Sequence, residues 1–407
     1  MLSSLKSIFE TKPNELNALN AFRTFSVLGI LVHHYWEAVR PSFLGTSVMV
    51  DFLDRVPLNL LSVMDLFLML SGFLISGGLW LDWKKNGTIH FGKYFTRRSF
   101  RIFPLFYAAL LVSFALTNAQ IQLMSKQTLD AAGTSMLAEL KQMKSHWWTD
   151  ALFISNYTSH KIMIHGWSLA VEQQFYTFLP LIAYFFLFRL SNKTRILSLC
   201  VLYFVPLVFR IIAAMNIDSE FGQMSKIYWP THTRADSLIL GILIMDLYYT
   251  SNWFRGKIAD PMLRRIGFVL SLVLLGIGHA LTFAESQFVF CVFRYNFFNI
   301  GYAILICLSL HSVSSFSKIL SARVFTPIAR VSYGMYMWQG IAGSAGMALV
   351  LKGLDLHKLT AAQALAGFIS GTLFTFLAGI ISWVIIESPF MRLRTRLAGP
   401  SPDLKNA

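Results

Sequence analysis

Long apolar runs dominate this chain and leave it few ways to fold. A helix needs roughly 17–25 apolar residues to cross a bilayer. About ten stretches meet that measure, near 21–39, 57–81, 101–118, 168–188, 196–214, 233–250, 266–284, 290–311, 327–350 and 362–387. A soluble protein has no use for so many uninterrupted spans. Composition agrees: 14% of residues are charged, where a soluble domain carries about a quarter. The expected fold is all-α, a polytopic transmembrane bundle of about ten spans. One membrane domain is expected over residues 1–396, with a short cytoplasmic tail over 397–407.

The net charge of +15 would suit a nucleic-acid partner, but its distribution argues against one. Lys and Arg gather in alternate loops: Lys6, Lys12 and Arg23; Lys84 to Arg101; Arg189 to Arg195; Arg255 to Arg265; Lys318 to Arg330; Arg392 to Lys405. The opposite loops carry Asp51, Asp54, Asp130, Glu139, Asp150 and Glu220. Basic loops stay cytoplasmic during insertion, so both termini are expected on the cytoplasmic side of a bacterial plasma or inner membrane. The charge then reports topology and contact with membrane lipid. No removable signal peptide is visible near the start. Cys200, Cys291 and Cys307 fall in apolar spans without metal-ligand spacing, and no metal is expected.

Residues 119–165 form the one long loop, expected on the outer side. Met136, Leu137, Leu140 and Met143 indicate an interfacial helix there, and Trp147 and Trp148 suit the headgroup level. A lid and a passive connector fit this loop equally well.

Ionisable groups inside a membrane are costly, so each is a functional candidate. In the first span Arg23 and His34 lie eleven residues apart, on one face and about 16 Å apart along the axis. Val27 and Ile30 fill that face between them, and His33 points away as a packing or hydrogen-bonding residue. The second span buries Asp65, at a depth that would let it meet His34, and carries Ser71-Gly72, suited to close backbone approach or plain helix packing. Ser168, Glu172 and Tyr176 recur every four residues as one polar stripe at the outer end of the fourth span. Arg234 is a natural partner for Glu172 or for developing negative charge, and Asp236 lies on another face with a mixed role. Arg97, Arg98 and Arg101 are dense enough for a phosphate clamp, although such clusters usually obey only the inside rule or bind anionic lipid. Ser332, Tyr336 and Gln339 share a late helix face, and Glu387 precedes Pro389.

Taken in order, LNAFRTFSVLGILVHH, VMDLFLMLSGFLI, RRSFRIFP, GWSLAVEQQFY, RADSLILG, VSYGMYMWQ and ESP resemble the membrane acyltransferase-3 family, whose members O-acylate sugars and related acceptors. The resemblance implies that His34 is the essential histidine, with Arg23 closing the same motif. It implies that Arg97, Arg98 and Arg101 belong to an arginine motif associated with acyl-CoA, and that Glu172 is the acid of the Trp-Ser-Leu segment. Three departures stand out: Asn20-Ala21 replaces the Asp-Gly of many relatives, Gln339 stands where many have His, and no fused secreted hydrolase-like domain is expected.

The leading expectation is a membrane O-acyltransferase with acyl-CoA, chiefly acetyl-CoA, as co-substrate and no permanently bound cofactor. The acceptor would be a carbohydrate or glycolipid hydroxyl, and His34 the general base. Asp65 or Glu172 would orient the imidazole. Arg234, Asp236, Ser168 and Tyr176 would bind the acceptor or stabilise an oxyanion, and Arg23 would assist the donor. The rival is a proton-coupled transporter or flippase that uses the same buried groups as a relay.

Overall fold

Lipid offers no hydrogen bonds to an open backbone, so a chain that crosses it must satisfy its N–H and C=O groups within each segment. The computed structural model describes residues 2–11, 16–45, 47–217 and 219–400. Lys12, Lys405 and residues 401–407 of the expected tail lie outside them. Helices make up the ordered elements, and no strand occurs among the described residues. The helices that position the site are α1 (Ala18–Val39), α2 (Val63–Asn86), α3 (Phe91–Met124), α4 (Ala131–Ser145), α5 (Gly166–Phe185) and α6 (Asn192–Ala214). They continue with α7 (Thr231–Thr250), α8 (Pro261–Ala280), α9 (Arg294–Ser309), α10 (Phe325–Trp338), α11 (Ala361–Ser382) and α12 (Ser388–Ala398).

Each apolar run lies mainly on helix. Five segments are long and apolar enough to cross a membrane by themselves: Val48–Asn86, Phe91–Met124, Asn192–Ala214, Pro261–Ala280 and Ala361–Ala398. Helices α1, α5 and α7 are not among them, and these carry His33, His34, Glu172, Arg234 and Asp236. Their buried polar residues face the interior, as does most of α2, whereas Phe91–Met124, Asn192–Ala214, Pro261–Ala280 and Ala361–Ala398 turn most of their apolar surface outward. On α11, Leu365, Ile369, Leu373, Leu377 and Ile381 recur every fourth residue and all are exposed, a stripe that only lipid covers at low cost. The chain is a multi-pass helical membrane protein.

Close packing in the interior follows small residues. Helix α2 lies against α7, and α7 against α6. A Cβ added at Gly72 would collide with the Leu238 carbonyl, and one at Gly241 with the Met69 carbonyl. Ser71-Gly72 is thus a backbone-to-backbone contact between α2 and α7, with Ser71 left to serve the site. Helix α1 packs on α2 and α10, α10 on α11, and α12 on α3.

Between α3 and α5 the chain forms α4 and then a tightly tied strap. Met136, Trp147 and Trp148 are exposed and Leu140 is buried, as an interfacial segment requires. Asp150 Oδ2 accepts from the backbone N–H of Ile162 at 2.9 Å and of Met163 at 3.3 Å. Lys161, only 3% exposed, sets its Nζ 3.3 Å from the Trp229 ring centroid. These ties hold the segment just before α5, and with it His165, against the bundle.

Candidate functional site

The site has two ends joined by one face of α5. At the first, α1 presents His34 beside His165, with ring centroids 4.7 Å apart. Glu37, one turn further along α1, places Oε2 3.5 Å from His34 Nδ1 and 3.4 Å from His33 Nε2. His33 is turned aside: its Nδ1 lies 3.1 Å from the Pro57 carbonyl oxygen. His34 keeps 28% of its side chain accessible, with Nδ1 toward Glu37. Burial, reinforced by His34 and His33, pushes His165 down to about 3, so it is neutral at physiological pH.

The polar stripe of α5 begins beside His165. Ser168 Oγ and Tyr336 Oη are 2.6 Å apart, and Tyr336 donates to the His165 carbonyl at 2.9 Å. Ser26, Val27, Ile30, Ser168, Ser332 and Tyr336 border a narrow internal gap. The α1 face between Arg23 and His34 therefore looks into the interior, while Arg23 itself is half-buried. Gln339 is 2% exposed, and neither its amide oxygen nor its nitrogen has a hydrogen-bond partner. It opens a π-helical turn, Gln339–Gly343, a local widening common at functional sites. A Cβ on Gly340 would come within 3.3 Å of His165 Nε2.

One turn along α5, Glu172 Oε1 accepts hydrogen bonds from Ser71 and, at 2.9 Å, from Tyr176. The Tyr176 ring lies 5.5 Å from the Arg98 guanidinium, which also faces Tyr94 at 5.9 Å. Serine, glutamate and tyrosine at four-residue spacing span eight residues, or about 12 Å, and connect the histidine end to the arginine end. There Arg97 donates to the Ala398 carbonyl at 2.7 Å, Arg101 is exposed, and Glu387 is within electrostatic reach of Arg101.

Two expected pairs do not form. Asp65 does not meet His34: its Oδ1 accepts from Arg234 at 2.5 Å and from Ser237 at 2.7 Å, and its Oδ2 has no partner. Arg234 accordingly pairs with Asp65 and not with Glu172, and its guanidinium lies against the rings of Tyr228 and Tyr295 at 4.7 and 4.4 Å. Asp236 pairs with Arg210 at 2.7 Å. All four ionic side chains are fully buried, which makes this cluster an internal brace joining α2, α6 and α7. Helical periodicity gives depth and face, but not which of several buried acids a given cation meets.

The sequence also passed over three contributors. Glu37 is the carboxylate that does reach His34. His165 had no periodic partner to mark it, since it precedes its helix, and only the His34 contact reveals it. Arg394 was one charge among many in the terminal basic segment, and its inward direction is visible only in the fold.

Fold and site together define a multi-pass helical membrane protein with a histidine pair at one end of a buried polar stripe and an arginine cluster at the other. The chain belongs to the acyltransferase-3 family: residues 16–386 match that family, described as an acyltransferase domain. It is similar to the O-acetyltransferase OatA of Staphylococcus aureus strain NCTC 8325, with 26% identity over 338 residues, which is 80% of this chain and 50% of the relative. OatA of strain MRSA252 matches to the same extent. The chain thus spans about half the length of these curated relatives. No solved structure matches it.

Proposed function

We propose that the chain is an O-acetyltransferase that takes an acetyl group from cytoplasmic acetyl-CoA and passes it to a hydroxyl of an extracytoplasmic or lipid-linked carbohydrate. The observation that carries this is the polar stripe of Ser168, Glu172 and Tyr176, which runs from His165 and His34 to the stacked Arg98. Family membership supports acyl transfer, and the relatives' name supports acetyl and oxygen as donor group and acceptor atom.

In this reading the arginine end is cytoplasmic, as the basic loops favour, and the histidine end faces the exterior of a bacterial plasma or inner membrane. Guanidiniums at the arginine end hold the phosphates of the donor bidentately. The pantetheine arm follows the α5 stripe and brings the thioester to His34. His34 Nε2 takes the proton of the acceptor hydroxyl as its oxygen attacks the carbonyl carbon. The C–S bond breaks, and the imidazolium returns the proton to the departing thiolate. Glu37 holds the imidazole through Nδ1 and stabilises its charged form. Glu172 acts with Ser71 and Tyr176 along the donor path, Arg23 on the same α1 face assists donor entry, and Ser168 and Tyr336 line the approach to the histidines. The Asp65–Arg234 and Asp236–Arg210 pairs brace the site without touching substrate.

General-base catalysis contributes about 10²–10⁴-fold. Purified protein in nanodiscs with a glycan acceptor should release CoA thiol, and His34→Ala should lose at least about a hundredfold of that rate. Unchanged release in His34→Ala, or acceptor movement across the membrane without any CoA dependence, overturns the proposal.

A further inference from the structure

Four guanidiniums converge where α12 crosses α3. Arg392, Arg394 and Arg396 alternate along α12, but only Arg394 turns inward: it is 8% exposed, while its two neighbours are exposed. The Nε atoms of Arg394, Arg97 and Arg98 are all buried without a hydrogen-bond partner. Arg394 lies within electrostatic reach of Arg97, Arg98 and Arg101. A basic segment that only obeyed the inside rule would keep all its charges in solvent.

Arg394 is buried and Arg97 and Arg98 are half-buried, with Arg101 exposed at the rim, and like charges drawn together partly out of water are costly unless an anion joins them. Among the described residues, the nearby carboxyls do not fill that role. Glu172 already accepts two hydroxyl hydrogen bonds, and Glu387 leaves its Oε1 without a partner. Arg97 serves as the fastener: its bond to the carbonyl of Ala398 ties the last turn of α12 to α3. A cation is well placed on the carbonyls of a helix C-terminus. Arg394, four residues earlier and one turn back, is thereby held toward Arg98 and Arg101.

We infer that Arg394 is a further phosphate-binding arginine, that α12 forms one wall of the site, and that the ligand is a phosphate-ester anion, the diphosphate-bearing end of acyl-CoA. Arg97 is a positioning residue that sets α12 in place, and Arg394, Arg98 and Arg101 meet the anion. This rests on the acetyl-CoA donor proposed above. Anionic lipid headgroups offer the same chemistry, so the test separates the two sources.

Acetyl-CoA and acetyl-pantetheine, which lacks the phosphates, are titrated into the full 407-residue chain in neutral-lipid nanodiscs. Arg394→Gln should raise the Kd and KM for acetyl-CoA by at least about tenfold, leave kcat at saturation unchanged, and leave acetyl-pantetheine binding as it was. Arg394→Lys keeps the charge but not the planar fork, so it should fold and fall between the two. Wild-type affinity for acetyl-CoA in Arg394→Gln, with weakened affinity in Arg98→Gln, removes Arg394 from the site and leaves the donor reading standing. No phosphate-dependent binding in the wild type sinks the donor reading itself. Loss of phosphatidylglycerol binding with acetyl-CoA affinity intact assigns the cluster to lipid and overturns the inference.

Discussion

His34 and His165 face each other with ring centroids 4.7 Å apart, although 131 positions separate them in the chain. The strap that ends at His165 is held by Asp150 and Lys161, and Tyr336 grips the His165 carbonyl. One imidazole is partly open and touches a carboxylate. The other is half-buried and held neutral.

That asymmetry predicts the pH profile. Since His165 is pushed down to about 3, it does not titrate where the enzyme works. The pH profile of kcat/KM should therefore carry no contribution from His165, and His165→Asn should lower the rate while leaving the shape of that profile unchanged. A profile that loses an ionisation in His165→Asn places a titrating His165 in the working range, against this assignment.

Glu37 lies 3.5 Å from His34 Nδ1, and Asp65 is committed to Arg234. Glu37→Gln should therefore lower kcat by roughly tenfold or more with the KM for acetyl-CoA unchanged. Steady-state kinetics with varied donor decides this. A raised donor KM at constant kcat would place Glu37 on the donor path.

The Asp65–Arg234 pair is fully buried, and removing one partner of such a pair typically costs about 3–5 kcal/mol. Asp65→Asn and Arg234→Met should each sharply lower thermal stability in detergent. The double variant Asp65→Leu/Arg234→Met should recover much of it, because no uncompensated charge remains. Full stability with lost acceptor binding in Arg234→Met would instead make Arg234 a substrate ligand.

Lys161 gives stability a pH dependence of definite sign. Burial pushes its pKa down from 10.5 to about 7, against the opposing pull of Asp150. The unfolded chain holds this proton above that value while the folded chain releases it. Stability should accordingly rise as pH increases from about 7 toward 10, by at most ~1.4 kcal/mol per pH unit. Lys161→Met should remove that rise, measured by thermal melts across the range. An unchanged pH dependence in the variant would place the titration elsewhere.

Much of this protein is written in its sequence. Periodic apolar runs dictate membrane helices, because a bilayer forces backbone groups to pair within each segment. The spacing of Arg23, Val27, Ile30 and His34 put a polar-ended face toward the interior, and the four-residue rhythm of Ser168, Glu172 and Tyr176 gave the stripe that links the two ends. Both depend only on helical geometry. Glu37 meets His34 as a neighbour three residues on in the same helix, whereas tertiary structure alone decided the rest: Asp65 with Arg234, His165 beside His34, and Arg394 inward among the arginines. Helical period fixes the direction a side chain takes from its own axis, whereas the neighbour it meets depends on how the other helices pack. The small residues at Gly72 and Gly241, which let α2 and α7 touch, brought Asp65 to Arg234; the ties of Asp150, Lys161 and Tyr336 set His165; and the hydrogen bond from Arg97 to Ala398 turned Arg394 inward.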